Sequence, residues 1–501
     1  MSNGNFFENV IVGGGPTGLT IALYLSELKE SVCLIDKNGS LGGCHRVTRV
    51  NGDFTEHGPR IYSSSYVNVK SVLKKLDLNF EDVFTPYHFN ISKIQGESLG
   101  VFTFREKLLI AKELFQLSFG TNKNKLRFTS VEAYAKKHNF SLEAQDYMNR
   151  LCRLTDGAGS DRFNMLEFVQ LINQNFFYSL YQPRKPNDEG LFKIWEEKLE
   201  RYGTIIKKNT DVQGYTTIND TSKNFKNYKL MISDKEGKQE EVFCKNLFIC
   251  VPPTHFMEIA PENIIKSYGL QNNVDMYAWT EFNKYINDIP VSFHWNKKLV
   301  LPKVWGFPRS DWGVAFIVLS DYMKANNDGN TVISTCVTIQ DKKSSHTNKT
   351  MYESNKEELI AEVFRQLKLS FPDLPDYDRA IIHPNVSYEN SIWKEDDQAY
   401  VETFKSQFVM PDCSDFKNHY FVGTHNGRSF YRFTSMESAV TNALSVLRKI
   451  KGNAIKTSIT RGYELAVLIR LVVLLIIVIV GFYAMRYVRL LIEKNKKEKL
   501  N

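Results

Sequence analysis

Residues 9–25 read NVIVGGGPTGLTIALYL, and this stretch decides the fold. A short apolar strand runs directly into a Gly-x-Gly-x-x-Gly turn, and the proline that follows stands in the first turn of an apolar helix. Gly13 allows the tight turn, Gly15 lets a pyrophosphate approach the backbone at the positive helix N-terminus, and Gly18 lets the helix pack on the strand. The stretch therefore predicts the first strand, turn and helix of a dinucleotide-binding unit.

A second apolar strand follows the predicted helix and ends in an acidic residue. Residues 31–36 read SVCLID, so that Asp36 stands eighteen residues after Gly18. A carboxylate at this position can accept hydrogen bonds from the hydroxyl groups of a ribose. The strand, turn, helix, strand and acid together predict dinucleotide binding, and they leave NAD and FAD equally open.

The next two motifs resemble those of a known family. Residues 41–46 read LGGCHR and residues 54–60 read FTEHGPR, and both resemble the flavin-containing amine oxidase and phytoene desaturase superfamily. The resemblance implies FAD as the cofactor, with its pyrophosphate along the first motif and its isoalloxazine ring beside the second. Glycines give a diphosphate access to the backbone, and an arginine supplies a charge partner. The residues that the resemblance assigns to the cofactor here are Gly43, Arg46, Gly58 and Arg60.

Two later segments resemble the remainder of the same cofactor site. A helical pattern over residues 190–203 precedes a strand-like pattern in which the resemblance implies that the backbone of Val212 contacts the adenine end. Near the end, Thr434-x-x-Glu437 precedes an apolar helical pattern and predicts a capping box. The free N–H groups of that helix would stabilise negative charge on a reduced flavin. The residues implied in this last segment are Gly423, Met436 and Glu437.

The order of these segments predicts an α/β fold class: a discontinuous Rossmann-like FAD-binding domain, an inserted α+β substrate domain and a C-terminal transmembrane helix. The predicted FAD-binding domain comprises residues 1–75, 190–260 and 395–450. The predicted substrate domain comprises residues 76–189 and 261–394. The predicted C-terminal parts are a linker over residues 451–464, the transmembrane helix over residues 465–485 and a basic tail over residues 486–501.

The C-terminal part accounts for the basic character of the chain. The whole chain of 501 residues has 64 Lys and Arg against 56 Asp and Glu, a formal net charge of +8, and residues 448–501 alone carry 12 basic and 3 acidic side chains. Residues 1–447 are therefore nearly neutral, which argues against nucleic acid as a partner. The stretch LAVLIRLVVLLIIVIVGFYAM at residues 465–485 is long enough to cross a hydrocarbon core of about 30 Å.

The start of the chain and its cysteines bear on its location. The first apolar stretch has Glu8 before it and is broken by glycines, unlike a signal peptide, so we expect the catalytic body on the cytosolic side of the membrane. Basic residues flank the apolar segment on both sides, so the positive-inside rule chooses no orientation. Seven scattered cysteines without CxxC spacing favour reduced thiols, and ten histidines without HxH or HxxxH pairs predict no metal site.

The resemblance implies hydride transfer from a substrate C–H bond to flavin N5, and the small-molecule substrate is apolar (an isoprenoid or lipid) or an amine. Amine oxidases commonly have a tyrosine where this chain has Ser435, which weakens the amine alternative. The covalent-flavin cysteine motif of monoamine oxidases is also missing around Cys413, so FAD is expected to be noncovalent. Lys297, in VSFHWNKK, is the candidate for the catalytic lysine of amine oxidases. Candidate pocket aromatics are Trp305, Trp312 and Tyr431.

Two other classes of function stay open. A redox-neutral flavoenzyme, such as an isomerase or a nucleotide-sugar mutase, is favoured by the Gly-Pro-Arg string at residues 58–60, which is similar to a Gly-Pro-His string in such mutases. A membrane-tethered protein that keeps FAD only as a structural element is the third class. The absence of interaction repeats and low-complexity arms in the sequence argues against it.

Overall fold

The computed structural model describes residues 5–89, 96–97, 100–218, 227–268, 275–286, 289–323, 329–395, 400–403, 413–432 and 434–498. The strands are β1 (Phe6–Val12), β2 (Val32–Ile35), β3 (Val47–Val50), β4 (Asp53–Glu56), β5 (Tyr62–Ser63), β6 (Phe84–Pro86), β7 (Leu180–Pro183), β8 (Ile205–Lys207), β9 (Thr210–Ile218), β10 (Asn227–Asp234), β11 (Gln239–Ile249), β12 (Asn283–Ile286), β13 (Ile289–Trp295), β14 (Val314–Val318), β15 (Thr331–Val337), β16 (Arg379–Ile382), β17 (Val386–Glu389), β18 (Ile392–Glu395), β19 (Tyr400–Thr403) and β20 (His419–Phe421). The helices are α1 (Pro16–Glu27), α2 (Val67–Lys75), α3 (Phe80–Val83), α4 (Phe104–Phe119), α5 (Lys123–Arg127), α6 (Val131–Lys137), α7 (Leu142–Asp156), α8 (Met165–Asn175), α9 (Leu191–Arg201), α10 (Pro253–Ile259), α11 (Glu262–Lys266), α12 (Met276–Phe282), α13 (Lys356–Leu367), α14 (Met436–Lys451) and α15 (Leu465–Glu498).

The largest sheet is assembled from three separated parts of the chain. Its strand order is β8-β2-β1-β11-β10-β9, and β20 also pairs with β11. The pairings of β1 with β2 and β11, of β2 with β8 and of β11 with β20 are parallel, whereas β10 pairs antiparallel with both β9 and β11. The parallel strands therefore end at one edge of the sheet, which is where open α/β sheets bind ligands.

Both faces of this sheet are buried. Alternate residues of β1 point to opposite sides, so that Ile11 joins one apolar cluster and Val10 joins another. The first cluster contains side chains from α1, α2, α9 and α14, and the second contains side chains from α10 and α12. Coverage on both faces explains why the first two strands consist almost entirely of apolar residues.

A second sheet and a group of helices complete the body. Strands β14, β15, β13 and β16 form an antiparallel sheet whose apolar core includes Trp295, Trp312 and side chains of α13. Helices α4 to α8 pack around a separate core that includes Met148 and Phe163. The helices α6, α7 and α8 begin at Ser130, Ser141 and Asn164, whose side chains accept hydrogen bonds from the first turn.

The C-terminal helix α15 is the one helix among the described residues that is long and apolar enough to be a candidate membrane span. It runs from Leu465 to Glu498, thirteen residues past the predicted end of the span, because the basic tail continues the same helix. The predicted linker over residues 451–464 is fastened to the body by hydrogen bonds. The amide of Thr460 donates to Asn68 Oδ1, the Nδ2 group of Asn68 donates to the carbonyl of Thr460, and the amide of Tyr463 donates to the Tyr178 hydroxyl.

Candidate functional site

A cavity of about 450 Å³ lies at the carboxyl edge of the parallel strands. The N-terminal ends of two helices, α1 and α14, reach its wall through Pro16, Thr17 and Met436. The N-cap of α1 is Gly15, which has no side chain to accept a hydrogen bond from the first helical turn. The free N–H groups and the helix dipole of α1 therefore form an anion site on the cavity wall.

The glycines predicted for pyrophosphate binding lie together in that wall. Gly13 has a φ of +105°, and a Cβ there would lie 2.6 Å from the carbonyl oxygen of Cys250. A Cβ on Gly18 would lie 2.0 Å from the carbonyl oxygen of Gly13, so the helix and strand require glycine there. Gly15 and Gly43 face each other, and a Cβ on Gly15 would meet nothing closer than 3.7 Å. Gly13, Gly15 and Gly43 line the cavity, whereas Gly18 acts behind it.

Asp36 lies at the end of β2 and lines the cavity. Its carboxylate accepts hydrogen bonds from the backbone amides of Gly14, at 2.7 Å, and Asn38, at 2.8 Å. Burial raises the pKa of Asp36 above its ordinary value, and the two amide donors oppose that shift. Val212 of β9 also lines the cavity, and the same strand begins beside Asp36, where the amide of Thr210 donates to the carbonyl of Asp36 at 3.0 Å.

Arg46 and Arg60 also line the cavity. Arg46 donates to the carbonyl of Gly43 at 3.1 Å, and Arg60 donates to the carbonyl oxygens of Cys44 and His57, each at 2.9 Å. These bonds fix both guanidinium groups against the backbone. Of the residues predicted here, Gly58 does not line the cavity. It lies in a left-handed turn with a φ of +91°, and its α-carbon faces Cys336.

Burial sets the charge of two further side chains near Arg60. Glu56 is buried behind the cavity wall, and burial raises its pKa to about 7, while Arg60 opposes the shift. His45 lines the cavity, and burial together with Arg60 lowers its pKa to about 3. The positive charge in this part of the cavity wall therefore comes from the arginines and not from a histidine.

Helix α14 begins as expected, but its cap differs from the predicted one. Ser435 is the N-cap, and its hydroxyl accepts a hydrogen bond from the amide of Ser438 at 3.1 Å. The predicted Thr434–Glu437 capping box is therefore wrong, because the amide of Thr434 instead donates to Asp156 and because Glu437 points away from the cap. Gly423, Ser435 and Met436 line the cavity.

The side chain of Glu437 does not line the cavity, whereas the neighbouring Met436 does. Its carboxylate is buried at the start of α2, where the backbone amides of Asn68 and Val69 donate to it. A sequence pattern fixes where a helix begins and leaves the direction of each side chain open. The role of Glu437 is therefore to hold α2 and α14 together.

The part of the cavity wall formed by α7, α8 and β7 is largely apolar. It has leucines from all three elements, namely Leu151, Leu154, Leu171 and Leu180. Trp305, Tyr66 and Tyr431 complete it, and the Tyr431 hydroxyl donates to Asn175 Oδ1 at 2.8 Å. Among the described residues that line the cavity, the acidic ones are Asp36 and Asp211, and both adjoin the start of β9, where the amide of Thr210 donates to the carbonyl of Asp36.

The rings of Tyr66 and Tyr431 are in edge contact, with centroids 5.6 Å apart at an interplanar angle of 86°. Two rings that face each other can hold an ammonium group between them by cation–π attraction, whereas an edge contact leaves no space between the rings. The Tyr66–Tyr431 pair therefore forms no cage for an amine, and among the described lining residues of α7, α8 and β7 there is no carboxylate to pair with one.

Lys297 lies away from the cavity. Its side chain is exposed in the turn after β13, so the structure does not bring it together with the residues predicted to bind the cofactor. The strand pattern that suggested it belongs to the antiparallel sheet, where Trp312 is also buried in the core and not in the cavity. Within the described ranges no group of three or more metal-ligating side chains was found, and the cysteines at all seven positions are free thiols.

Sequence reasoning missed the apolar part of the cavity wall and Asn175. The leucines of α7 and α8 have the same helical spacing as core residues, so their pattern does not separate a cavity wall from a core. Asn175 is the last residue of α8, and a polar residue at the end of a helix is only a weak signal of a functional site.

Comparisons with known proteins agree with this geometry. Residues 11–76 match the family model of the NAD(P)-binding Rossmann-like domain. Putrescine oxidase bound to putrescine has a similar structure, with a TM-score of 0.60 and 14% identity over 89% of this chain and 99% of that one. No curated protein sequence matches the chain significantly.

Two further solved structures have the same fold. A protein from Exiguobacterium sp. 255-15 described as a protoporphyrinogen oxidase has a TM-score of 0.57 and 12% identity over 91% of this chain and all of that one. An oxidoreductase from Methanosarcina mazei has a TM-score of 0.56 and 13% identity over 88% of this chain and 99% of that one. The chain therefore has an NAD(P)-binding Rossmann-like domain within an amine-oxidase-like fold, which confirms the predicted resemblance and α/β fold class.

Proposed function

We propose that the chain is a membrane-anchored oxidoreductase that binds FAD noncovalently and oxidises an apolar small molecule, an isoprenoid or lipid, at a C–H bond. The observation that carries the proposal is the polarity of the cavity, which has a polar part suited to a dinucleotide and an apolar part walled by leucines. The solved structures with the same fold are oxidoreductases, which supports the reaction class.

The polar residues of the cavity fit the ADP half of FAD. Asp36 would accept from the ribose, the start of α1 with Gly15 and Gly43 would hold the pyrophosphate, and Arg46 would balance its charge. FAD when bound supplies a hydride acceptor at N5 of its ring. Cys413 does not line the cavity, and its thiol is hydrogen-bonded to Ser267, which agrees with noncovalent binding.

The other residues that line the cavity would orient the substrate and exclude water. The leucines of α7 and α8 bury an apolar substrate, which contributes about 25 cal/mol for each Å² of apolar surface removed from water. The Tyr431 hydroxyl and Asn175, which are hydrogen-bonded to each other, can orient one polar group of that substrate. The start of α14 presents its helix dipole to the cavity and stabilises negative charge that develops there.

The experiment uses the full chain purified in detergent. A flavin spectrum, and release of FAD upon denaturation, are expected first. The protein is then mixed anaerobically with a panel of isoprenoids, polyamines, monoamines and NAD(P)H, and the loss of flavin absorbance is followed. Bleaching by an isoprenoid or other lipid and not by amines is the expected result.

Three outcomes contradict the proposal in different ways. A protein that takes up no FAD contradicts the cofactor assignment. Bleaching by putrescine or another amine contradicts the apolar substrate while keeping the oxidoreductase. Bleaching by NAD(P)H alone favours the redox-neutral class of flavoenzyme, in which the substrate undergoes no net oxidation.

A further inference from the structure

Helix α4 presents phenylalanines to solvent. The exposed fractions of Phe104, Leu108, Phe115 and Phe119 are 76%, 54%, 48% and 45%. At 3.6 residues per turn these four positions lie within about 60° of the helix circumference. They form one continuous apolar stripe, which we call the α4 stripe. Isolated exposed apolar residues are ordinary, but a continuous stripe of this kind marks an interaction surface.

The carboxylates of the same helix point inward. Glu113 is buried, and its carboxylate accepts hydrogen bonds from Asn122 Nδ2 at 2.6 Å and from the Tyr134 hydroxyl at 3.1 Å. Glu106 is buried as well and accepts from the backbone amide of Ser141. A helix on a water-facing surface has the opposite arrangement, with its charges outside and its aromatic residues inside.

The exposed charges around the stripe all have one sign. Glu106 and Glu113 are the acidic residues of the sequence between residues 103 and 130, and both are buried. The exposed charged side chains of this segment are Arg105, Lys112, Lys123 and Lys125. An apolar stripe bordered by cations is the arrangement of helices that lie in the interface of a membrane with anionic lipids.

The α4 stripe adjoins the candidate membrane span. Helix α15 packs against α4 and α8. Leu465, Ile469 and Val473, which share one face of α15, are half-buried, while the rest of the helix beyond Ala466 is mostly exposed. The stripe stays exposed with α15 in place, because its exposed fractions already include that helix.

We propose that the α4 stripe lies in the surface of a lipid bilayer that contains anionic lipids, beside the point where α15 enters it. This inference rests on the membrane anchoring of the proposed function and adds a second, in-plane contact. Phe104, Leu108, Phe115 and Phe119 enter the boundary between head groups and acyl chains. The flanking lysines and arginine meet the anionic head groups.

The test uses fluorescence quenching in the full chain. Leu108→Trp and Phe115→Trp variants are reconstituted into vesicles of phosphatidylserine and phosphatidylcholine, with bromine on the acyl chains of the phosphatidylcholine. Four native tryptophans, Trp195, Trp279, Trp295 and Trp312, are fully buried, so the added emission is read as the difference from the parent chain. Leu369→Trp, at a position 62% exposed in the lobe of the antiparallel sheet, is the matched control. Phe482→Trp reports the insertion of α15.

Quenching of the added emission at Leu108→Trp, Phe115→Trp and Phe482→Trp, with an unquenched Leu369→Trp, is the expected result. Quenching at Phe482→Trp alone overturns the docking surface and leaves the anchor in place. Quenching at no position overturns the anchor and the surface together, while the flavin assays above still judge the oxidoreductase. Unquenched stripe variants combined with a dimeric mass in detergent would assign the stripe to a second copy of the chain.

Discussion

The carboxylate of Glu437 accepts hydrogen bonds from the backbone amides of Asn68, at 2.9 and 3.1 Å, and of Val69, at 2.9 Å. Glu437 belongs to the first turn of α14, and the two amides belong to the first turn of α2. The N-cap position of α2 is Tyr66, which provides no side-chain cap. A side chain from one helix therefore caps another, and the start of α14 at the cavity is fixed relative to α2.

Replacing Glu437 removes this cap. In Glu437→Ala two buried amides and the Asn68 side chain lose an acceptor, and each unsatisfied buried donor costs about 1–3 kcal/mol. A fall in the melting temperature by several degrees is expected, together with a lower flavin content, because α14 forms part of the cavity wall. The control is Glu357→Ala, which removes an exposed carboxylate from α13. An unchanged melting temperature for Glu437→Ala would contradict the capping role.

Glycine substitutions separate folding from cofactor binding. A Cβ on Gly18 would lie 2.0 Å from the carbonyl oxygen of Gly13, so Gly18→Ala is expected to prevent stable folding. Gly15 has a φ of −76° and open space on its Cβ side, so Gly15→Ala is expected to fold. The added methyl group stands where the pyrophosphate would approach. We therefore expect Gly15→Ala to bind FAD about tenfold more weakly, which corresponds to about 1.4 kcal/mol. Melting temperature without FAD and flavin titration distinguish the two variants.

The buried carboxyl group of Glu56 predicts that the stability of the folded state depends on pH. Burial raises the pKa of Glu56 from 4.5 to about 7, so the folded state binds an extra proton between these values. The stability that this proton provides is present below pH 4.5 and is lost as the pH rises through 7, by about 3 kcal/mol in total. Glu56→Gln does not titrate, and its melting temperature should therefore rise relative to the parent chain between pH 4.5 and 7. A constant difference over this range would show that Glu56 is ionised throughout.

The apolar part of the cavity wall predicts a selective loss of substrate oxidation. Leu171→Glu places a charge among the leucines of α7 and α8. We expect kcat/KM for an apolar substrate to fall by tenfold or more, at about 1.4 kcal/mol for each factor of ten, while flavin content is preserved. Leu369→Glu, on an exposed surface, is the control. Equal activity of the two variants would place the substrate elsewhere.

Replacing Lys297 is expected to leave the activity unchanged. Because its side chain is exposed in the turn after β13 and outside the cavity, Lys297→Met should leave the rate of flavin reduction by substrate unchanged. The measurement is anaerobic stopped-flow absorbance at saturating substrate, with the neighbouring Lys298→Met as the control. A tenfold loss confined to Lys297→Met would restore the catalytic lysine that the sequence suggested.

The sequence predicts which residues of the polar part of the candidate site come together, because each of them meets a local backbone requirement. Gly13, Gly15 and Gly43 allow a close approach, and Asp36 ends a strand that a short pattern defines. These residues come together in the structure since the parallel strands end at one edge of the sheet. The motif order alone was sufficient to predict that arrangement.

The other features of the candidate site depend on contacts between distant segments of the chain, which the sequence pattern does not predict. Glu437 and Thr434 both fit a capping box by spacing, but Ser435 caps the helix, because packing against α2 and Asp156 engages the other two. Lys297 follows β13, which pairs with β15 in the antiparallel sheet, and the composition of a strand does not say which sheet it joins. The leucines of α7 and α8 have a core pattern, and their place in the cavity wall depends on segments that are distant in sequence.

The hydrogen bonds of Thr460 with Asn68 have a consequence for motion at a membrane. A flexible tether would let the catalytic body tumble above the lipid, so that the cavity would sample every direction. Here the segment before the anchor is joined to the residue that also meets Glu437 at the start of α14. With α15 in a bilayer, the body keeps one height and one tilt, and its search for substrate becomes two-dimensional diffusion with the cavity in a constant orientation.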